Sequence, residues 1–428
     1  MNISGHNYKS LLKNKDIKVL AENFVSLTLL KAITYIFPLI TLPYLAHTIG
    51  VDKFGEIAFA ASIVIYFQTI TDFGFNYTAT RDIAQHRENI HTVSTIFSTV
   101  MTSKLLLMLG CTVVYAICIY SIPYLHERQA LLWLTFLYIP GYVIFPEWFF
   151  QAMEKMKYIT LMNILVKTIS TILVFIVIRE KSDYIYQPFL IAIGYIVSGL
   201  IALWIIFRKF RIQYLPPSQS EIWSTIKSGW DMFICLLLPN FYSNFSVILL
   251  NIYGGSYVTG IYSSGQKFIS ICDQFSQVLS RTFYPFLARH IDKHKIYVYI
   301  SGSISIVMSL VLFLGADWII KLFYTDEFAA SAIVIRIMSL GPFFLFLMNT
   351  YGPNYLVLQG KEYILRNIII ISSLIGFCLS WVTVIYFSYI GVAVTLVFIW
   401  GLRGFLTWHY AKQIIARQIG AIQYNSLK

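Results

Sequence analysis

Residues 54–80 read FGEIAFAASIVIYFQTITDFGFNYTAT. Apolar residues dominate the first part. Further on, Gln68, Asp72, Asn76 and Thr80 recur at every fourth position, a spacing that gathers side chains on one helix face. The stretch is long enough for a bilayer core, which takes about 20 mostly apolar helical residues. An apolar helix with a single polar stripe predicts a membrane span whose stripe is turned away from lipid.

The rest of the chain agrees. Of 428 residues, 57% are hydrophobic and 12% charged, and mean hydropathy is +0.68. Soluble domains carry about 25% charge, so a soluble enzyme, a secreted disulfide scaffold, a disordered protein and a nucleic-acid binder are all excluded. The 33 Phe, 30 Tyr and 9 Trp include many rings suited to the membrane interface. The formal charge of +12 reads as basic loops on one side of a bilayer. Cys111, Cys118, Cys235, Cys272 and Cys378 lie in apolar runs without zinc spacing. The polar, basic start predicts no cleavable signal peptide.

The expected fold is an all-α polytopic membrane protein with twelve transmembrane helices, near 20–46, 54–80, 93–121, 129–152, 158–179, 185–207, 221–250, 256–288, 296–315, 328–359, 364–387 and 390–411. They divide into two six-helix bundles, 20–207 and 221–411, around a central cavity, with a leading segment 1–19, a linker 208–220 and a tail 412–428. Residues 8–20 set four lysines against Leu11, Leu12, Ile17 and Leu20, which fits either an interfacial helix or a disordered basic tail. Nineteen Lys and Arg fall on the side holding both termini and the even-numbered loops, against five on the other. That bias puts both termini in the cytoplasm.

A shift of 205 residues brings out an internal repeat. Gly50-x4-Gly55 meets Gly255-x4-Gly260, and Gln68, Asp72 and Asn76 meet Asp273, Gln277 and Arg281. Pro146-Glu147-Trp148 resembles Pro353-Asn354-Tyr355 two residues further along. Two halves of six helices share orientation, so their pseudo-axis lies along the membrane normal, and the cleft between them is a place for substrate.

Ionisable groups within spans cost at least ~2.5–3.5 kcal/mol each and are kept where they face a wet cavity or a partner. The span cations are Lys31, Lys104, Lys167, Lys227, Lys267, Arg281, Arg336 and Arg403; the anions are Asp72, Glu147, Asp231 and Asp273. Lys227 and Arg281 sit near span ends and snorkel. Lys31, Lys104, Lys167, Lys267, Arg336 and Arg403 are central by residue count and are the candidate substrate ligands. Asp72, Glu147 and Asp273, on polar stripes or at a helix break, are the candidate ion-coupling residues. The eighth span repeats the stripe pattern in Gln266, Ser270, Asp273, Gln277 and Arg281; helix–helix hydrogen bonding is the competing explanation of such stripes. Breaks are expected at Pro38 and Pro43, at Pro140-Gly141 and Pro146, at Pro239, and at Gly341-Pro342 and Gly352-Pro353. No phosphate loop, Asp-x-Asp pair, Ser-His-Asp or HExxH pattern occurs. His290 and His294 have ligand spacing but sit in a basic loop, so neither a metal nor a cofactor is expected.

Five segments carry a family resemblance. Asp72-Phe73-Gly74-Phe75-Asn76-Tyr77-Thr78-Ala79-Thr80-Arg81-Asp82-Ile83-Ala84 resembles the signature of the Wzx-type polysaccharide flippases. So does Pro146-Glu147-Trp148-Phe149-Phe150-Gln151-Ala152-Met153-Glu154-Lys155-Met156-Lys157-Tyr158-Ile159, with Ala152 where the family often has Gly. The opening Asn23-Phe24, Pro38-Leu39-Ile40-Thr41-Leu42-Pro43-Tyr44-Leu45 and Gly50-Val51-Asp52-Lys53-Phe54-Gly55 fit as well. The resemblance implies twelve helices, alternating access and no covalent chemistry. It implies an undecaprenyl-diphosphate-linked oligosaccharide as substrate, moved across the bacterial inner membrane, H⁺ or Na⁺ as coupling ion, and other polysaccharide-assembly membrane proteins as partners. Lys31 and Lys267 are the counterparts of the cavity cations taken to meet the diphosphate in that superfamily, which also holds multidrug exporters and the lipid II flippase. A drug/ion antiporter is the alternative, though it would favour an anionic cavity. A membrane polymerase or glycosyltransferase is a further one, disfavoured by short loops and the missing carboxylate pair.

The topology is testable directly: reporter fusions after Arg211 and after Lys428 are both expected to report cytoplasm, and a periplasmic signal from either contradicts it.

Overall fold

The computed structural model describes the backbone of residues 14–289 and 291–426. It describes side chains at 37 and 39–416, apart from 281, 282, 285, 286, 288–290 and 292. The described chain is helical, with no strand among the described residues. Eight helices are long and apolar enough to cross a membrane, or up to nine if the bent pair Gln219–Leu237 and Asn240–Ser280 counts as one span. Three run too long for a single crossing and turn at one residue: Asn14–Asp72 at Gly50, Asn240–Arg289 at Gly255, and Glu362–Ser426 at Ser388. The two sides of each turn fall on separate expected spans. Of the basic stretch 8–20, residues 8–13 lie outside the described residues and 14–20 form the start of the Asn14–Asp72 helix.

The repeat has a physical basis. Gly50 and Gly255 take φ 72° and 82°, both with ψ 177°, a conformation that only glycine adopts at low cost. Five residues on, the second glycine of each motif lies against the other half. A Cβ on Gly55 would fall 1.8 Å from the Ser256 carbonyl oxygen, and one on Gly260 would fall 2.1 Å from the Val51 carbonyl oxygen. Adding 205 turns 51 into 256 and 55 into 260. The two contacts are therefore one contact repeated about a pseudo-two-fold axis, as in an isologous interface.

Side chains reinforce this end of the molecule. The Ser256 hydroxyl donates to Glu56, whose carboxylate also receives Arg128 Nε at 2.9 Å. The Tyr124 hydroxyl donates to Asn251 Oδ1 at 2.7 Å, beneath the Arg128 guanidinium 4.0 Å from its ring centroid. Glu327 Oε2 accepts the Val51 N–H at 3.4 Å.

Helix breakers act at most of the expected places. The fourth span stops at Ile144 and restarts at Glu147, after Pro146. The tenth restarts at Gly341 and passes into a π-helical turn at Gly352–Val357, and the seventh bends by 51° around Pro239. Two expectations need correction. The first span runs on as helix through Pro38 and Pro43. The second is not one continuous helix, because Phe73 and Gly74 take φ 47° and 76° and helix resumes at Phe75.

That break receives the first segment of the seventh span. A Cβ on Gly74 would lie 2.8 Å from Met232 Cβ, and one on Gly229 would lie 2.7 Å from the Phe73 carbonyl oxygen; Phe73 stacks on Phe233 at 4.3 Å. The preceding linker is tied down too. Gln213 N–H donates to Ser94 Oγ at 3.1 Å and Leu215 N–H to Ser98 Oγ at 2.9 Å. Residues 212–237 thus pack on the first half, and the bend at Pro239 is where the chain leaves it.

Gly55→Ala is expected to lower the melting temperature of the purified protein by several degrees, since overpacking costs about 1–3 kcal/mol. Gly110→Ala, with open space around its Cβ, should leave it unchanged or raise it slightly. Equal melting of Gly55→Ala and the native protein would contradict the crossing.

Candidate functional site

A cavity of about 270 Å³ lies where the two halves meet. Phe37, Thr41, Leu42 and Leu45 line it from the first span, with Phe54, Ile57, Ala58 and Ala61 from the second. Two lysines enter it from opposite halves, Lys167 from the fifth span and Lys267 from the eighth. Ser170, Thr171, Gln187 and Ser263 supply its remaining polar lining.

Lys267 is solvent-accessible, and its Nζ lies 5.9 Å from the Phe54 ring centroid. The lysines are close enough for their charges to repel. No ion pair to either occurs among the described residues. Two lysines from opposite halves thus line one pocket that has no carboxylate in its lining.

The other expected ligands lie elsewhere. Lys104, expected in the cavity, is 2% exposed and donates to Asp72 Oδ1 at 2.8 Å. It also reaches Asn76 Oδ1 at 3.4 Å, so the stripe stays together across the break at Phe73 and Gly74. The polar face of the second span is turned onto the Ile90–Ser121 helix, where one cation neutralises it.

This cluster extends through the first half. Asn76 Nδ2 donates to the Tyr142 hydroxyl at 2.8 Å, and Gln68 Nε2 to the Tyr138 hydroxyl at 3.3 Å. Tyr138 is hydrogen-bonded to Tyr195. Glu147, at the start of a short helix, accepts Asn163 Nδ2 at 2.8 Å.

In the second half Asp273 Oδ2 accepts Gln277 Nε2 at 2.9 Å and lies within electrostatic reach of Arg403. Arg403 in turn donates to the Tyr242 hydroxyl at 2.7 Å. Arg336, also expected in the cavity, pairs with Asp317 on an exposed face. It stands only five residues into the Ser331–Met338 helix, near the span end. The Lys31 side chain lies outside the described residues.

Of the six expected cations the structure therefore brings together Lys167 and Lys267. Glu56 was not singled out in the sequence, although it binds the two halves. Its signal was its place directly after Gly55, the half of the repeated glycine pair that must touch the other bundle.

A family model described as "Polysaccharide biosynthesis protein" matches residues 20–291. The chain is 27% identical over 385 residues to the protein named "Putative O-antigen transporter" in Escherichia coli (strain K12), covering 88% of this chain and 93% of that one. Its fold is similar to the lipid II flippase MurJ in an inward closed conformation, at TM-score 0.71 and 15% identity, covering 92% of this chain and 87% of that one. An inward-facing multidrug resistance transporter of the MATE family gives TM-score 0.66 at 14% identity, covering 88% of this chain and 94% of that one. At such identities the structural likenesses establish the fold, and with it the two-bundle architecture expected from the repeat. The family match spans well over half the chain and includes the glycine crossing, the Asp72–Lys104 pair and both cavity lysines: the chain belongs to the polysaccharide biosynthesis protein family.

Proposed function

We propose that this protein is a non-enzymatic transporter that moves an undecaprenyl-diphosphate-linked oligosaccharide from the inner to the outer leaflet of the bacterial inner membrane. The observation that carries the reading is Lys167 and Lys267, from opposite halves, facing one cavity without a carboxylate partner. A diphosphate supplies the missing negative charge and bridges the halves. The neutral polar lining accommodates the first sugars, and the polyprenyl chain stays in lipid. The relative named as an O-antigen transporter supports this substrate class. A carrier of cationic drugs would want the opposite charge in the same place.

By the positive-inside bias, the end held by Gly55, Gly260, Glu56 and Ser256 is periplasmic. The conformation described has that end joined, so alternating access requires the Glu56–Ser256 and Glu327–Val51 links to break as the opposite end closes.

Coupling to H⁺ or Na⁺ is assigned to Glu147 or Asp273 in preference to Asp72. Lys104 already compensates Asp72, and a compensated carboxylate has little reason to bind a second cation. Asp273 holds an amide donor and a nearby guanidinium, while Glu147 holds an amide donor among three tyrosines. In proteoliposomes under imposed pH or Na⁺ gradients, Glu147→Gln or Asp273→Asn should abolish the gradient dependence of flux while substrate still binds. Full gradient-driven flux in both would remove these residues from coupling. Asp72→Asn should instead lower stability by about 3–5 kcal/mol, because it strands a buried ammonium. Adding Lys104→Met should restore much of that loss. A single variant that melts like the native protein would contradict the pair.

For the cavity lysines, Lys167→Ala and Lys267→Ala, at normal membrane abundance, should each cut surface polysaccharide at least tenfold in a flippase-null strain. Arginine at either position should retain part of the function. Full complementation by the double alanine variant would make both lysines structural.

A further inference from the structure

A second cavity, of about 400 Å³, lies at the other end of the first half, between the Phe75–Gln85, Ile90–Ser121 and Gln219–Leu237 helices. Its size is within the ~300–1,000 Å³ usual for small-molecule sites. Its chemistry is opposite to that of the lysine cavity. Thr78, Thr95, Thr99 and Thr225, with three serines of the Gln219–Leu237 helix, present hydroxyls; Asp82 and Glu221 add carboxylates, Asp82 being paired with Arg81 at 2.8 Å, and no lining side chain is itself basic.

Several of these hydroxyls have already committed their proton. Thr95 Oγ1 donates to the His91 carbonyl at 3.1 Å, and Thr99 Oγ1 to the Thr95 carbonyl at 2.9 Å. What they offer the groove is oxygen lone pairs. Thr78 is different. It is only 9% exposed, and its hydroxyl has no hydrogen-bond partner among the described residues, so the groove is its outlet. Ser224 and Thr225 are likewise unpartnered on the facing helix. A groove that combines committed hydroxyls and two carboxylates as acceptors with the free hydroxyls of Thr78, Ser224 and Thr225, and that has no basic lining residue, disfavours phosphate and suits a neutral ligand rich in hydroxyls, which both donate and accept.

We propose that this groove is a saccharide-binding subsite, which receives sugars of the lipid-linked substrate at the cytoplasmic interface while the diphosphate is held by Lys167 and Lys267 at a separate stage. The proposal rests on the flippase reading and deepens it by dividing recognition between two chemistries. The position is appropriate. Thr95 and Thr99 lie within the first three turns of a 32-residue helix, at the end that the positive-inside bias makes cytoplasmic. A site built to pair with substrate hydroxyls discriminates strongly against saccharides that lack them, so the groove would also choose among repeat units.

The test uses the full-length protein in nanodiscs and two probes: undecaprenyl diphosphate, and the lipid-linked oligosaccharide extracted from cells that make the polymer. Thr78→Val combined with Thr225→Val should weaken binding of the saccharide-bearing probe about tenfold, the scale of one or two lost hydrogen bonds. Undecaprenyl diphosphate should bind as before, and Thr78→Ser should behave like the native protein. Ser224→Ala, at an exposed position, serves as the second variant if the valine protein does not fold. Lys267→Ala should weaken both probes. If the lysine effect holds but the valine and alanine variants bind the saccharide probe normally, the groove is not a sugar site and the flippase reading stands. Equal weakening of both probes by the valines would make the groove structural and overturn the proposal. Failure of the native protein to bind either probe would overturn the flippase reading and the subsite together.

Discussion

Backbone meets backbone where Gly55 lies on Ser256 and Gly260 lies on Val51, and the rest of the molecule is arranged around that double crossing. It leaves no room for a side chain on either glycine, so the halves are pinned together at that end; they meet again further along, where the Tyr66 hydroxyl donates to the Asn240 carbonyl at 2.6 Å. Glu56 sits beside the crossing and binds both Arg128 of its own half and Ser256 of the other. The lysine cavity opens just beyond, within about two helical turns along the second and eighth spans. A pinned end beside a charged pocket is the arrangement a rocking carrier needs, since whatever binds both lysines draws on both halves.

The cost of charge in a bilayer sorts the remaining polar groups. Asp72 and Lys104 pay it by pairing at 2.8 Å, almost wholly buried. Arg403 leans on Tyr242 near Asp273, and Arg336 escapes to an exposed face with Asp317. Lys167 and Lys267 have no ion-pair partner among the described residues and line one pocket. That difference separates paired span charges from unpaired ones, and both kinds look alike when counted along a span.

Much of this was legible in the sequence. The apolar runs specified a helical membrane protein. The 205-residue shift places Gly50 opposite Gly255, and both turn the chain because glycine is the residue such a φ demands. Pro146 and Pro239 marked real breaks, since proline removes a donor that the helix needs. What failed was facing. A four-residue period shows that Asp72 and Asn76 share a side but not whether that side meets a cavity or Lys104, which is 32 residues away from Asp72 in sequence. Pro43 gave no break because a helix can absorb one proline where its neighbours pack around it. Arg336 looked central only because the tenth span was drawn too early, from residue 328, whereas its helix begins at Ser331.

The proposed transport of a lipid-linked anion, unchanged, by lysines from both halves is read most simply as translocation of a fluorescent undecaprenyl-diphosphate-linked oligosaccharide in proteoliposomes containing this protein alone, followed with a membrane-impermeant quencher. The account predicts that label on the inner leaflet becomes quenchable with the native protein, chemically intact, and stays protected with the Lys167→Ala, Lys267→Ala variant. No transfer by the native protein under any imposed ion gradient, or recovery of a chemically extended or cleaved product, would contradict it.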